Sequence, residues 1–398
     1  MRVAVTGMGI VAPEAIGAER FRALLDEAKC AVAPVDRFDT AGLRAHNAAI
    51  VRDFNARAFI PPMKMRRMNL LSRYAAAAAK LAIDDAGAAL PDSAGVALGT
   101  CFGPVQTSVD YMQEYVEKGA ALAPPQLFAE SVANAPGSHI AIEHDLRGFN
   151  VTITQRESSA LAAVMYASAQ IAKGAAPAAL TGGVEELNEM VFSVLDRLGS
   201  LAHRNGVVDE CPRPFDRRRN GFAIGEGSAI FIVEAEPRRE PYGYFAGFGI
   251  ARDTTASISD WGTGDGAVVT AMRAALDDAE IAAGDVDAIY ASANASVRAD
   301  RLEARAIRVL FGSDGPPVVA TKGIFGEYAA AGGLQLAAAL LAVRDQAIHK
   351  SAGFEEQDPE LQILATGDRQ PATVRNVLVN SLSAGGGIVC AVLSRESA

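Results

Sequence analysis

The chain is short of the residues from which several kinds of site are built. Cysteine occurs only at positions 30, 101, 211 and 390. None of them has CxxC spacing, so neither a zinc site nor a disulfide framework is suggested, and four separate buried small residues are expected. No apolar run approaches the roughly 20 residues that a membrane helix needs. The longest, Leu334–Val343, contains Gln335, so no membrane span is expected. Positive charge is also in deficit: 37 Lys and Arg stand against 47 Asp and Glu, a net charge of −10, which disfavours a nucleic-acid surface. Charged residues make up only 21% of the chain while apolar residues make up 50%, which excludes extensive disorder. The opening MRVAVTGMGIVAP reads as a β-strand followed by a Gly-rich turn. It lacks the charged, apolar and cleavage regions of a signal peptide, so a cytoplasmic location is expected.

What is present is an alternation of β-branched runs with Ala-rich helical runs, the pattern of an α/β protein with buried central sheets. The 398 residues are enough for two halves with a core each. Strands are predicted at Arg2–Thr6, Gly95–Gly99, Val151–Thr154, Ala178–Thr181 and Ser228–Val233, then at Gly243–Arg252, Ala288–Ser292, Val318–Thr321, Val377–Val379 and Gly387–Ser394. Helices are predicted at Tyr74–Ala86, Ser158–Lys173, Val268–Ala279, Ala304–Phe311 and Ala329–Asp345. Both parts end in a glycine turn running into an apolar strand, GEGSAIFIVEAE at 225–236 and GGGIVCAVLSRE at 385–396. An internal duplication is therefore expected, with halves at 1–240 and 241–398 joined at the polar PRREP connector.

Five ordered segments, VAVTGMGIVAP, RRMNLLSRYAAAAAKLAIDDAG (66–87), PFDRRRNGFAIGEGSAIFIVE (214–234), ATKGIFGEYAAAGG (320–333) and NSLSAGGG (380–387), together resemble the β-ketoacyl-acyl carrier protein synthases. The resemblance implies a thiolase-like fold, two duplicated halves in a five-layer αβαβα arrangement, working as a dimer. It also implies a nucleophilic Cys on a strand-to-helix turn, served by two His residues from the second half. A thiolate at a helix N-terminus would accept the acyl chain, and the His pair would promote decarboxylation and stabilise the developing oxyanion.

This chain departs from that pattern at each of the three positions. Counting back from Leu161 places Glu157 where the resemblance puts the Cys, and a carboxylate is a poor acyl acceptor because the product anhydride is more reactive than the thioester. Counting back from Asp300 places Ser292 at the first His, or Asn294 if a short gap is allowed. After Lys322-Gly323-Ile324-Phe325-Gly326, Glu327 stands at the second. The five histidines, at 46, 139, 144, 203 and 349, all lie elsewhere. Lys322, Asp300 and Glu303 match the supporting frame, and they are expected to hold the loops together. Glu157 and Glu327 are expected in a vestigial pocket where Lys322 or Arg156 offsets their charge, since an unpaired buried carboxylate is costly.

Loss of Cys-His-His with retention of the frame resembles the chain-length factors, the partner subunits of type II polyketide and polyene synthases. That implies a heterodimer with a catalytic ketosynthase, contact with acyl carrier protein mainly through that partner, and no cofactor or metal. Ser108, Tyr111, Met112, Tyr115, Phe128 and Val132, in GPVQTSVDYMQEYVEKG and PQLFAESV, are the expected tunnel or interface residues, with bulk there limiting chain length. Two other roles are weighed against this one: a decarboxylating chain-initiation relative, and a homodimeric acyl-binding protein with no synthase partner.

Overall fold

The computed structural model describes residues 2–204 and 209–397. The first half contributes strands β1 (Val3–Ala12), β2 (Gly95–Gly99), β3 (Asn150–Ile153), β4 (Ala178–Glu185) and β5 (Gly227–Glu234). The second contributes β6 (Gly243–Arg252), β7 (Ala288–Tyr290), β8 (Val318–Val319), β9 (Asn376–Leu382) and β10 (Gly387–Ser394). They lie in the order β8-β7-β9-β10-β6-β1-β5-β4-β2-β3. Reading outward from the centre, each half repeats one antiparallel run followed by two parallel pairings. The halves meet where β1 and β6 pair over only Val3–Val5 against Gly243–Phe245. This is the duplicated thiolase-like arrangement.

The principal helices are α1 (Leu70–Ala86), α2 (Val105–Lys118), α3 (Pro125–Glu130), α4 (Ser159–Ala172), α5 (Glu189–Arg197), α6 (Asp265–Asp278), α7 (Val297–Phe311) and α8 (Ala329–Asp345). Helices α4 and α8 pack together in the middle layer, α1 covers β1 and β5 outside, and α6 covers β6 and β10 on the other side. Every residue of α8 from Ala329 to Val343 is buried, so the helix has no polar face and carries alanine, glycine and leucine all round. Capping agrees with local sequence: Asn69 accepts the Ser72 N–H at 2.7 Å at the start of α1, and Gly87 ends it in the left-handed region at φ 68°.

The outer helices approach their strands so closely that glycine is required. A Cβ on Gly9 would stand 1.8 Å from the Ala78 carbonyl oxygen, and one on Gly249 would stand 2.0 Å from that of Ala271. The two sites are equivalent in the two halves, within TGMGI at 6–10 and AGFGI at 246–250. The expected turn after Thr6 is therefore absent: β1 continues to Ala12, because its glycines serve helix packing and not chain reversal. Other boundaries also move. Helix α7 begins at Val297, capped by Ser296, well before Ala304, and β8 stops at Val319, where Thr321 leads into a helical turn at Lys322–Phe325.

The cysteine expectation is corrected in part. Cys30 and Cys211 are bonded, with Cα atoms 6.6 Å apart across 181 residues of sequence. No spacing motif announces a pair brought together by tertiary folding. Cys101 and Cys390 are free. No described helix is long and apolar enough to cross a membrane.

Gly9→Ala and Gly249→Ala are each expected to lower the unfolding free energy by about 1–3 kcal/mol through overpacking against helix backbone. Gly266→Ala, where an added Cβ meets nothing within 4 Å, is expected to be neutral or slightly stabilising. Urea denaturation followed by circular dichroism measures all three. Equal stability of the three variants would contradict the close-approach explanation.

Candidate functional site

The turn from β3 into α4 is pinned from several directions. Arg156 sits in the left-handed region at φ 49°, a conformation that costs a non-glycine residue free energy and persists only when neighbours enforce it. Ser159 supplies part of that enforcement: its hydroxyl accepts the Gln155 N–H at 2.7 Å and donates to the Arg156 carbonyl at 2.6 Å. Ser158 donates to the Ser381 carbonyl at 3.0 Å, tying the turn to the second half. Glu157 follows in the turn, two residues before α4 begins, with its carboxylate turned inward.

Glu157 is 9% exposed and Glu327 2%, and both line one cleft together with Ala384. The Glu157 carboxylate accepts the Ala384 N–H at 3.1 Å and is also held by its own backbone N–H. Burial, reinforced by the nearby Glu327, pushes its pKa up to about 7. Glu327 is placed by Gly326, whose φ of 78° turns the chain sharply, and by its N–H, which donates to the Ala223 carbonyl at 2.8 Å. One Glu327 oxygen accepts from the fully buried Lys322 at 2.7 Å and from Asn294 at 2.8 Å. Burial raises the Glu327 pKa and Lys322 opposes the rise.

Ser292 and Asn294 occupy different surroundings. Asn294 reaches Glu327, whereas the Ser292 hydroxyl accepts the Leu382 N–H at 2.9 Å and lies 3.4 Å from Lys322 Nζ. Neither lines the cleft. Asp300 accepts the N–H groups of Phe215, Asn294 and Ala295 at 2.8, 3.0 and 3.2 Å. Glu303 accepts the Ser292 N–H at 2.9 Å and the Asn380 amide at 3.0 Å. Glu303 knits loops of the second half, Asp300 also ties in the Phe215 segment of the first half, and burial raises their pKa values to about 7 and about 6. Glu226 plays the same part in the first half: buried, it accepts Tyr74, Val51, Leu187 and Arg37. The PFD and GEG segments thus contribute loop-holding groups.

The cleft has a volume of about 350 Å³, with Met190, Val194, Leu198, Phe222, Ile258 and Trp261 among its walls. Sequence reasoning missed this wall, although Met190, Val194 and Leu198 recur every fourth residue along α5 and its end. The six expected tunnel residues are not in this cleft. Ser108 is half-buried and donates to the Pro104 carbonyl at 3.1 Å. Tyr111 packs against Phe128, ring centroids 5.6 Å apart, and Met112, Tyr115, Phe128 and Val132 are exposed. Among the described residues, no group of three or more His, Cys, Asp or Glu side chains is placed to hold a metal ion.

A duplicated thiolase-like fold with this turn-and-loop site defines a class, and the family comparison names it. Residues 1–238 match the model of the beta-ketoacyl synthase N-terminal domain, and residues 242–355 that of the C-terminal domain. The chain belongs to the beta-ketoacyl synthase family. It is 29% identical to 3-oxoacyl-acyl-carrier-protein synthase 2 of Coxiella burnetii, covering 99% of this chain and 98% of that protein. It is 31% identical to the tetracenomycin polyketide synthase ketoacyl synthase beta subunit of Streptomyces glaucescens, covering 91% and 90%. A solved structure of the ishigamide ketosynthase/chain length factor superposes with a TM-score of 0.89 at 27% identity, covering 100% of this chain and 99% of that one.

Because the folded-state pKa of Glu157 stands above the ordinary 4.5, the stability associated with its neutral form is fully present below about pH 4.5 and is lost as pH rises through about 7. Glu157→Gln cannot ionise. Relative to the wild type, it should gain stability between about pH 5 and about pH 8, by no more than about 3 kcal/mol. Urea melts at the two pH values check this, and a difference that does not change with pH would contradict it.

Proposed function

We propose that this chain is a non-catalytic chain-length factor, the partner of an active ketosynthase in type II polyketide or polyene biosynthesis. The observation that carries the reading is Glu157: a buried carboxylate occupies the turn just before α4, where the family resemblance puts the acyl-accepting Cys, and the Ala384 N–H is committed to it. Glu327 occupies the position of one His and is engaged in an internal ion pair with Lys322. Ser292 occupies that of the other and is bound up with backbone. An acyl group on either carboxylate would be an anhydride more reactive than the thioester, and the Ser292 hydroxyl is bound to backbone and does not line the cleft.

The outer surface supports the same reading. Strand β3 ends the strand order with one edge unpaired, and such edges invite pairing with another chain. Elsewhere, α2, α3 and the segment after α3 expose Met112, Tyr115, Val116, Phe128 and Val132, apolar side chains of the kind that mark an interface. In the heterodimer this face would close the far end of the ketosynthase's acyl tunnel, with Ser108, Tyr111, Met112, Tyr115, Phe128 and Val132 setting the available length. Acyl carrier protein would be engaged mainly by the partner. The two halves divide between residues 240 and 241, in the Pro-bounded connector.

Co-expression with a Cys-containing ketosynthase from the same genomic neighbourhood should give a stable one-to-one complex by size-exclusion chromatography with mass measurement. Elongation of malonyl carrier protein should require both subunits. Phe128→Ala should lengthen the product and Ser108→Phe should shorten it, with total turnover changed less than length. A lone homodimer that decarboxylates or condenses unaided would overturn the proposal.

A further inference from the structure

The Cys30–Cys211 bond joins two loops of the first half, and each of these loops grips the second half. Cys30 lies just beyond the helix Ala18–Glu27, and the N–H of the next residue, Ala31, donates to the Ile324 carbonyl at 2.8 Å. Phe21 of that helix packs against Phe325, ring centroids 6.1 Å apart. Cys211 opens the stretch that runs through Pro212 to Asp216. A Cβ on Gly353 would stand 2.5 Å from the Pro212 carbonyl oxygen, and Asp216 accepts the N–H groups of Glu355 and Glu356 at 2.9 and 2.7 Å. The bond therefore closes a clasp around two second-half segments, 322–325 and 353–356. The first of these is the turn that delivers Glu327 to the cleft.

The clasp is open to reagents in solution. Cys30 and Cys211 are both partly exposed, whereas Cys390 is fully buried and burial pushes the thiols of Cys390 and Cys101 well up, away from the reactive thiolate. The bond is also not all that holds the two loops together. Buried Glu210 accepts the His46 N–H at 2.7 Å, and the Val35 N–H donates to the His46 carbonyl at 2.9 Å. Opening the bond thus leaves the loops tethered on both sides of the sulfurs, so closing it again requires no refolding.

We propose that Cys30 and Cys211 form a reversible thiol–disulfide latch whose state sets how firmly the turn Lys322–Phe325, and with it Glu327, is held. The oxidant is a small-molecule disulfide of the glutathione class. One cysteine thiolate attacks a sulfur of the oxidant and expels a first glutathione thiolate; the second cysteine attacks the mixed disulfide and expels the other. Each departing thiolate takes up a proton given by a cysteine, so two protein thiols and one disulfide become one protein disulfide and two glutathione thiols. The closed bond restrains a loop of 181 residues, which removes freedom from the opened ensemble and favours the clasped form.

The full-length protein equilibrated in glutathione buffers from reduced to oxidised tests the latch, with the bond read by intact mass after alkylation and backbone order by hydrogen–deuterium exchange. The pair should oxidise as a single two-electron couple, with Cys101 and Cys390 left as thiols. Reduction should speed exchange of the Ala31, Ile324, Gly326 and Glu327 amides by about ten-fold or more while β1 and β5 stay protected. Cys30→Ser and Cys211→Ser should each show the fast exchange in every buffer. Both readouts concern this chain alone, so the result is independent of whether a ketosynthase pairs with it. Unchanged exchange at Ile324–Glu327 on reduction, loss of protection in β1 and β5 together with the bond, or a pair that stays reduced in oxidised glutathione would overturn the proposal.

Discussion

The structure depends on burying a helix that has no face for water. Helix α8 packs against strands of both halves of the sheet with Ala329–Val343 wholly enclosed, where small and branched apolar side chains fill the space at interior packing density and the one polar side chain, Gln335, donates to the Tyr290 and Asn380 carbonyls. Its start passes close to the start of α4: a Cβ on Gly332 would stand 3.4 Å from the Glu157 carbonyl oxygen. Every polar group delivered to that crossing has to be satisfied by protein. The Lys322–Glu327 pair and its Asn294 contact are one such solution, and the raised pKa of Glu157 is another, since a neutral acid avoids a second buried charge.

On the proposed reading, the site is better described as rebuilt than as decayed. Asp300, Glu303 and Glu226 still bind loop N–H groups from widely separated segments, so the scaffold around the turn keeps its shape. Carboxylates then stand at the floor where the family resemblance implies Cys and His. Breaking the Lys322–Glu327 pair would leave a buried charge unmatched, at a cost of about 3–5 kcal/mol, which ties the replacement residues to one another. The apolar surface of α2 and α3 is a separate matter, lying outside this cleft.

Much of the fold was legible because its signals are local. Gly95–Gly99, Gly243–Arg252, Gly387–Ser394 and Ala329–Asp345 are found with the bounds that periodicity and turn residues predict. The reading failed where a residue answered to a distant neighbour. Gly7 and Gly9 looked like a turn but are strand residues facing Ala82 and Ala78, and the TGMGI and AGFGI repeat was the available clue. The Cys30–Cys211 bond spans 181 residues and had no clue. Ordered motifs pointed to the positions of Glu157 and Glu327. The Ala384 N–H contact and the apolar wall of α5 needed coordinates, because each joins side chains that only the tertiary fold brings together.

The most direct measurement is intact-protein mass spectrometry after incubation with octanoyl carrier protein, with a Cys-containing ketosynthase treated in parallel. The ketosynthase should gain the mass of one octanoyl group, while this chain, with a buried carboxylate in place of the acyl acceptor, should keep its unmodified mass. An octanoyl adduct on this chain, mapped by peptide analysis to the turn at Thr154–Ser159, would contradict the central claim that the site no longer accepts an acyl chain.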